Sequence, residues 1–266
     1  MFQFDTIASS LLVCAVIAEF AFTLLHRPQK KVIDDTKANL ILGFSVIFTG
    51  IFIKIISLAI FSLAYSVAIF KPAISWWLWV TAFFSCDFIN YVYHFIGHKT
   101  RLFWAAHITH HSSEFFNLSV ALRINFIHIL YRFLFWIPLC FLGIPPAMVL
   151  LFESINAIHN FILHTEKVGK LGVLDWIFNT PSNHRVHHAS NTQYLDKNLG
   201  GMLMIFDHLF GTYAREKEQP VYGITHNINT ANPVKILLQE YKNVNADVTK
   251  QQNLWAKIRY LFSKPQ

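Results

Sequence analysis

Charge is what this chain has least of. Only 14% of its 266 residues are charged, 54% are hydrophobic and the mean hydropathy is +0.38; ordinary soluble domains carry ~25% charge, so the composition argues against a water-soluble enzyme. Acidic residues are scarcer than basic ones, 15 against 22, for a formal net charge of +7. Set among 26 phenylalanines and long apolar runs, that surplus suits a membrane surface and not nucleic acid. Cysteine is nearly missing. Cys14, Cys86 and Cys140 are odd in number and lie in apolar runs, which excludes a disulfide framework and leaves no thiolate set for a metal. The segment before the first apolar run lacks the basic n-region of a signal peptide, so residues 6–25, about the ~20 a spanning helix needs, read as a retained anchor. No internal repeat or low-complexity segment is present.

Three further apolar runs follow. Residues 38–70 are too long for one straight crossing and contain Lys54, so they form one long tilted helix or a tight hairpin. Residues 74–92 open with tryptophans, as an interfacial anchor does. Residues 125–163 are broken by Gly143, Ile144, Pro145 and Pro146 into helix, turn and helix. Cytoplasmic loops collect Lys and Arg. Nineteen of the 22 basic residues fall in the loop 26–37, the block 94–123 and the segment from Lys167 onward. A single crossing at 38–70, a return at 74–92 and an even number of crossings in 125–163 put all three basic segments on the cytosolic side. The fold expected is therefore all-α, with multi-spanning membrane helices and both histidine-rich blocks on the cytosolic side.

What is abundant is histidine, 14 in all. His94-x-x-x-His98 follows the third apolar run, one helical turn apart on one face. His107-x-x-His110-His111 and His184-x-x-His187-His188 repeat a second spacing, i, i+3, i+4. Eight histidines exceed the four ligands of one tetrahedral zinc, so the pattern predicts two metal ions, and imidazole suits Fe, Zn, Cu or Ni. His164, beside Thr165 and Glu166, is a further candidate ligand, and His159 a possible one. His26, His128, His208 and His226 are isolated and read as packing or interfacial residues. Asp87 lies two turns below His94 and is a candidate to hydrogen-bond a ligand imidazole, or else Asn90 or Tyr91; Glu114 and Glu153 are candidates for similar support. Glu19 has no assignable partner. Carboxylates inside apolar runs are costly and merit such assignments.

These boxes, in this order on a multi-spanning chain, resemble the fatty acid hydroxylase and sterol desaturase superfamily of membrane di-iron oxidases. The stretches LFWAAHITHHSSEFFNLSVALR (102–123) and NTPSNHRVHHASNTQYLDKNLGGMLMIFDHLFGTY (179–213) resemble its branch of alkylglycerol monooxygenases and bacterial sterol desaturase-like proteins. The resemblance runs from about Asp87 to Tyr213, and implies a cytosolic catalytic unit over 87–213 between membrane anchor helices over 1–86 and a cytosolic tail over 214–266. It departs at Phe95 and Asn183, where the branch commonly has Arg and His. It implies iron ligands at His94, His98, His107, His110, His111, His184, His187 and His188, with His164 added. It also implies two iron ions that use O2 to hydroxylate or desaturate a lipid such as a sterol, fatty acyl chain or ether lipid. No cytochrome or flavin motif is visible, so electrons come from an external reductase, cytochrome, ferredoxin or reduced pterin. The implied location is a bacterial inner membrane or the endoplasmic reticulum. The competing readings are a haem-binding electron carrier, which needs axial ligands on facing helices, a metal transporter, whose ligands line the membrane midplane, and a zinc hydrolase.

Overall fold

The computed structural model describes the backbone of residues 2–26 and 29–265 and the side chains of 11–25 and 29–265. Arg27 and the His26 side chain lie outside the described residues. Among the described residues the regular elements are helices, apart from two isolated bridges, Phe178 to Leu203 and Ala189 to Tyr222. Helix α1 is Phe2–His26 and α2 is Lys30–Ser66, a single helix of 37 residues that removes the hairpin alternative. Lys30, Lys31 and Lys37, expected in a loop, form its first turns instead. At 1.5 Å per residue α2 is about 55 Å long, well beyond the ~30 Å hydrocarbon core of a bilayer. Its excess is the polar N-terminal end, where Asp35 and Asn39 are buried. Beyond it Phe44, Phe48, Ile51 and Ile55 turn outward at helical spacing. Among the described residues α2 is the one helix long and apolar enough to cross a membrane.

Helix α3, Trp76–Lys99, starts where the Ser75 hydroxyl accepts from the Leu78 amide at 3.4 Å, and it carries both His94 and His98. Thr100 separates it from α4, Arg101–His111, which holds the first H-x-x-H-H box. A 3-10 turn, Leu118–Leu122, leads to α5, Phe126–Arg132, and α6, Ile137–Phe141. Gly143 then turns the chain at φ +109°, where a Cβ would collide with the Phe70 carbonyl oxygen, and Pro145 and Pro146 open α7, Pro146–Ile162. The helix, turn and helix expected in 125–163 are thus present, the first limb in short pieces. Phe61, Leu78, Ala82, Trp136, Cys140 and Met148 form the main apolar core between α2, α3, α6 and α7.

Helix α8 is Val173–Ile177 and α9, Pro181–His187, carries the second H-x-x-H-H box. The Thr180 hydroxyl caps α9 and Pro181 occupies its first turn. Helix α10, Ile205–Phe210, ends on Gly211 in the left-handed conformation. Helices α11, Pro233–Thr249, and α12, Leu254–Leu261, complete the chain. The tail is not detached. Arg101 on α4 pairs with buried Glu240 on α11, its Nε donates to the Tyr260 hydroxyl at 3.2 Å, and its amide donates to the Ser263 carbonyl at 2.8 Å.

A buried polar knot fixes α4 to α2. Arg123 donates to Asp35 at 2.9 Å, to Asn39 at 2.8 Å, to the Thr109 carbonyl at 3.1 Å and to the Ser112 hydroxyl at 3.0 Å, while Ser113 donates to Asp35 at 2.8 Å. Thr109 lies between His107 and His110, so the knot sets the position of the whole box. Breaking such a buried pair on one side leaves an uncompensated charge.

Candidate metal centre

The nine candidate ligands come together as two groups of donors, each group's atoms within 4.8 Å of one another: His94, His98, His107, His111 and His187 in one, His110, His164, His184 and His188 in the other. All eight box histidines and His164 are in these groups, and His159 is in neither. Helical geometry explains a partition that spacing alone does not reveal. In each H-x-x-H-H box the i, i+4 pair, 40° apart on the helix wheel, stays in one group, and the middle histidine, about 100° from its neighbour, crosses to the other. His107 and His111 keep to the first group while His110 joins the second; His184 and His188 keep to the second while His187 joins the first. Each box therefore supplies both groups. The groups abut where the His111 and His188 rings stack at 4.5 Å.

The donor geometry fits metal ions. Nε2 of His107 lies 3.1 Å from Nε2 of both His94 and His111, and Nε2 of His164 lies 3.1 Å from that of His184 and 3.3 Å from that of His110. Two imidazoles on one metal at about 2.1 Å, subtending 90° to 109°, would stand about 3.0 to 3.4 Å apart. The outward nitrogens fix which lone pairs face inward: Nδ1 of His94 donates to the Leu199 carbonyl at 2.9 Å, of His187 to the Lys197 carbonyl at 3.1 Å, and of His164 to the Asn160 carbonyl at 2.8 Å. Nε2 of His98, His187 and His188 is buried with no hydrogen-bond partner. Orphaned buried acceptors cost about 1–3 kcal/mol each, and a shared cation removes that penalty. Burial holds all nine rings below the ordinary histidine pKa, helped in seven by crowding of neighbouring imidazoles and at His98 by Lys99, with His94 at about 3 and His164, through burial alone, at about 4. They are neutral, the state in which imidazole binds metal.

One loop supports three rings of the five-histidine group. Asp196 accepts from Nδ1 of His98 at 3.3 Å and from Lys99 at 2.5 Å, and the carbonyls of Lys197 and Leu199 take His187 and His94. Burial acts to raise the Asp196 pKa, but the bonds from His98 and Lys99 outweigh it and hold the carboxyl well below the usual range. Asp196 and Asn198 have φ of 57° and 55°, a left-handed conformation that Asp and Asn tolerate. Two buried carboxylates clamp the loop: Asp207 accepts from the amides of Leu199 and Gly200, both at 2.7 Å, and Asp87 from those of Met202 at 2.7 Å and Leu203 at 3.2 Å. A Cβ on Gly201 would lie 2.5 Å from both Asp87 and Asn156. Asp196→Ala is expected to weaken metal binding in the five-histidine group about 10 to 100-fold while sparing the other. Chelator competition followed by metal counting checks this, and equal loss from both groups would contradict it.

Among the described residues Asp87 thus hydrogen-bonds no imidazole, nor Asn90 or Tyr91; its support passes through backbone. Glu114 is exposed and lies in neither donor group, and Glu153 lies beside Cys86 and Trp136, off the centre. Glu19 does have a partner, the Leu118 amide at 2.8 Å. His128 is half-buried against Tyr93 and His107 but is not among the grouped donors. His208 contacts the Trp176 carbonyl at 2.9 Å. His226 lines a cavity of about 460 Å³ that reaches His98, His111, His187 and His188 and is walled on its far side by Glu240, Asn243 and Lys264 of the tail. Asp196, Asp207 and the tail were absent from the residues that spacing singled out; Asp196 and Asp207 flank the unusual run Asn198-Leu199-Gly200-Gly201, the one local signal for them.

The model of the fatty acid hydroxylase family matches residues 79–212, half of the chain. The chain is 40% identical over 189 residues to an alkylglycerol monooxygenase of Homo sapiens, which covers 71% of this chain and 42% of the human protein. It is 44% identical over 163 residues to the alkylglycerol monooxygenase of Xenopus tropicalis, covering 61% and 36%. An ornithine lipid hydroxylase of Rhizobium tropici is 33% identical over 128 residues, covering 48% and 39%. The matches thus span about two fifths of the length of these relatives. No solved structure matches the chain significantly. With its histidine boxes inside the matched region, this chain belongs to the fatty acid hydroxylase family.

Proposed function

We propose that this protein is an O2-dependent lipid hydroxylase of the membrane, with one iron ion in each histidine group. The observation that carries the reading is the pair of abutting, all-imidazole donor groups, nine neutral histidines with no carboxylate among them. Bound iron supplies the activation of O2 and the oxidation of an unactivated C–H bond, chemistry that no side chain performs. The chain's own residues hold and shape that site. His94, His98, His107, His111 and His187 bind one ion and His110, His164, His184 and His188 the other, while the 196–203 loop fixes ring orientation. Water-poor burial keeps the imidazoles unprotonated, and the cavity beside His98 and His188 gives access.

The long apolar face of α2 supports membrane residence, and the distribution of basic residues supports a multi-pass arrangement with both histidine boxes on the cytosolic side. The names of the relatives, alkylglycerol monooxygenase and ornithine lipid hydroxylase, support a lipid with a polar headgroup as substrate. Electrons come from an external donor such as a reduced cytochrome, ferredoxin or pterin. The test is lipid profiling of cells with and without the gene, joined to metal analysis of protein purified after iron supplementation. Lipids gaining one oxygen, together with about two iron per chain, are expected. Full activity with a single retained metal, or an unchanged lipid profile in cells making the iron-loaded protein, would overturn the reading.

A further inference from the structure

Helices α8 and α10 have their polarity inside out. Each buries one carboxylate: Asp175 accepts from the Leu171 amide at 2.8 Å and the Thr180 hydroxyl at 2.5 Å, and Asp207 holds the 199–200 amides. Each turns large apolar side chains outward, among them Val173 at 72% and Leu209 at 71% exposure, with Leu174, Trp176 and Phe210 beside them. A helix on a water-facing surface shows the reverse pattern. The two helices form one patch, because the Met204 amide donates to the Ile177 carbonyl at 3.0 Å, His208 meets the Trp176 carbonyl, and Phe178 bridges to Leu203. Contiguous apolar surface of this kind on a protein marks an interaction site.

Its place in the fold says what covers it. Phe206 and Phe210 pack on Phe88 of α3 at 5.1 and 6.5 Å and on Tyr91 at 6.0 and 5.4 Å. Residues 74–92 are the apolar run of α3, so the patch lies level with the last apolar turns of that helix, about 4.5 Å below His94 at Tyr91. The patch is continuous with the exposed Phe84 and Phe88 of α3. Two basic side chains, Lys167 and Lys170, precede α8, and the Lys167 ammonium lies 4.9 Å over the ring of Phe22 on α1. An apolar surface edged by lysines complements the boundary between acyl chains and phosphate headgroups.

We propose that α8 and α10 form an in-plane membrane skirt, seated in the headgroup and acyl boundary of the leaflet from which α3 emerges. This rests on the reading of α3 as a membrane helix. The catalytic unit is then partly embedded, in contrast to a wholly cytosolic 87–213 unit. The skirt then holds the histidine centre, which begins one helical turn beyond Tyr91, next to that leaflet.

The test uses full-length protein in phosphatidylcholine nanodiscs, in a Cys14→Ser background with Cys86 and Cys140 buried. Single cysteines are introduced by Val173→Cys, Leu209→Cys, Phe84→Cys and Lys217→Cys, and each is labelled with a polarity-sensitive fluorophore. Quenching is read with aqueous iodide and with nitroxide-labelled lipid. Labels at 173 and 209 are expected to follow that at 84, quenched by the lipid nitroxide and about threefold or more less by iodide than the label at 217. If 173 and 209 follow 217 while 84 follows the lipid, the skirt is wrong and the membrane reading of α3 stands. If 84 also follows 217, both fall.

Discussion

Replacing His184 with alanine is expected to lower bound iron from about two per chain to about one and to abolish lipid oxidation. His184 is one of four donors in the second group, and three imidazoles remain without it. His187→Ala, three residues along the same box, is expected to abolish turnover as well, yet to lose less metal, because its group keeps four imidazoles. Removing a direct ligand exceeds the ~10 to 100-fold cost of losing an outer partner. The sharper expectation concerns pairs. His110→Ala should resemble His184→Ala in metal content although the two lie in different boxes, and should differ from His107→Ala within its own box. Iron counting on the four purified variants decides it. Phenotypes that sort by box, with His107 like His110 and His184 like His187, would refute the crossed partition.

That partition shows where sequence reading stops. The ligand candidates were legible because i, i+3 and i+4 spacing gathers side chains on one helical side, and His94 and His98 stay together because α3 continues unbroken through them. Which imidazole joins which ion depends on how α9 meets α4, a long-range matter that no local spacing encodes. The single helix over the second apolar run was one of two readings the sequence left open. The structure has one continuous helix there, whose extra length is its polar N-terminal turns, buried through Asp35 and Asn39 against Arg123. Asp87 was visible as a costly carboxylate within an apolar run, but its partners are backbone amides more than a hundred positions away. Asp196 and Asp207 were hidden because a surface loop rich in Asp, Asn and Gly looks the same whether or not it templates a site. The tail was expected only as a cytosolic segment, and its contact with α4 rests on long-range bonds of Arg101 to Glu240, Tyr260 and Ser263.

Metal-free protein is expected to be acid-labile from about pH 6.5 downward, and metal should shift that onset to lower pH. All nine grouped histidines have pKa values lowered by burial in the fold, whereas an unfolded chain titrates near the ordinary value of about 6.5. The sign follows from proton counting. Above pH 6.5 neither state binds these protons and stability is unaffected; below it the unfolded state takes them up and the folded state does not, so stability is lost as pH falls. The loss continues until the folded rings protonate, which for His164 is at about 4 and for His94 at about 3. Each fully offset histidine contributes about 1.4 kcal/mol per pH unit, so several together reach several kcal/mol per unit, a large share of the ~5–15 kcal/mol that stabilises a typical domain. The histidine unit should therefore unravel within about one to two units below 6.5 once metal is removed. Near-UV circular dichroism during acid titration of chelator-treated and iron-loaded samples measures both onsets. An onset below about pH 4 in the stripped protein, or one that iron does not move, would show that these imidazoles are not the neutral, metal-gathering set that their burial makes them.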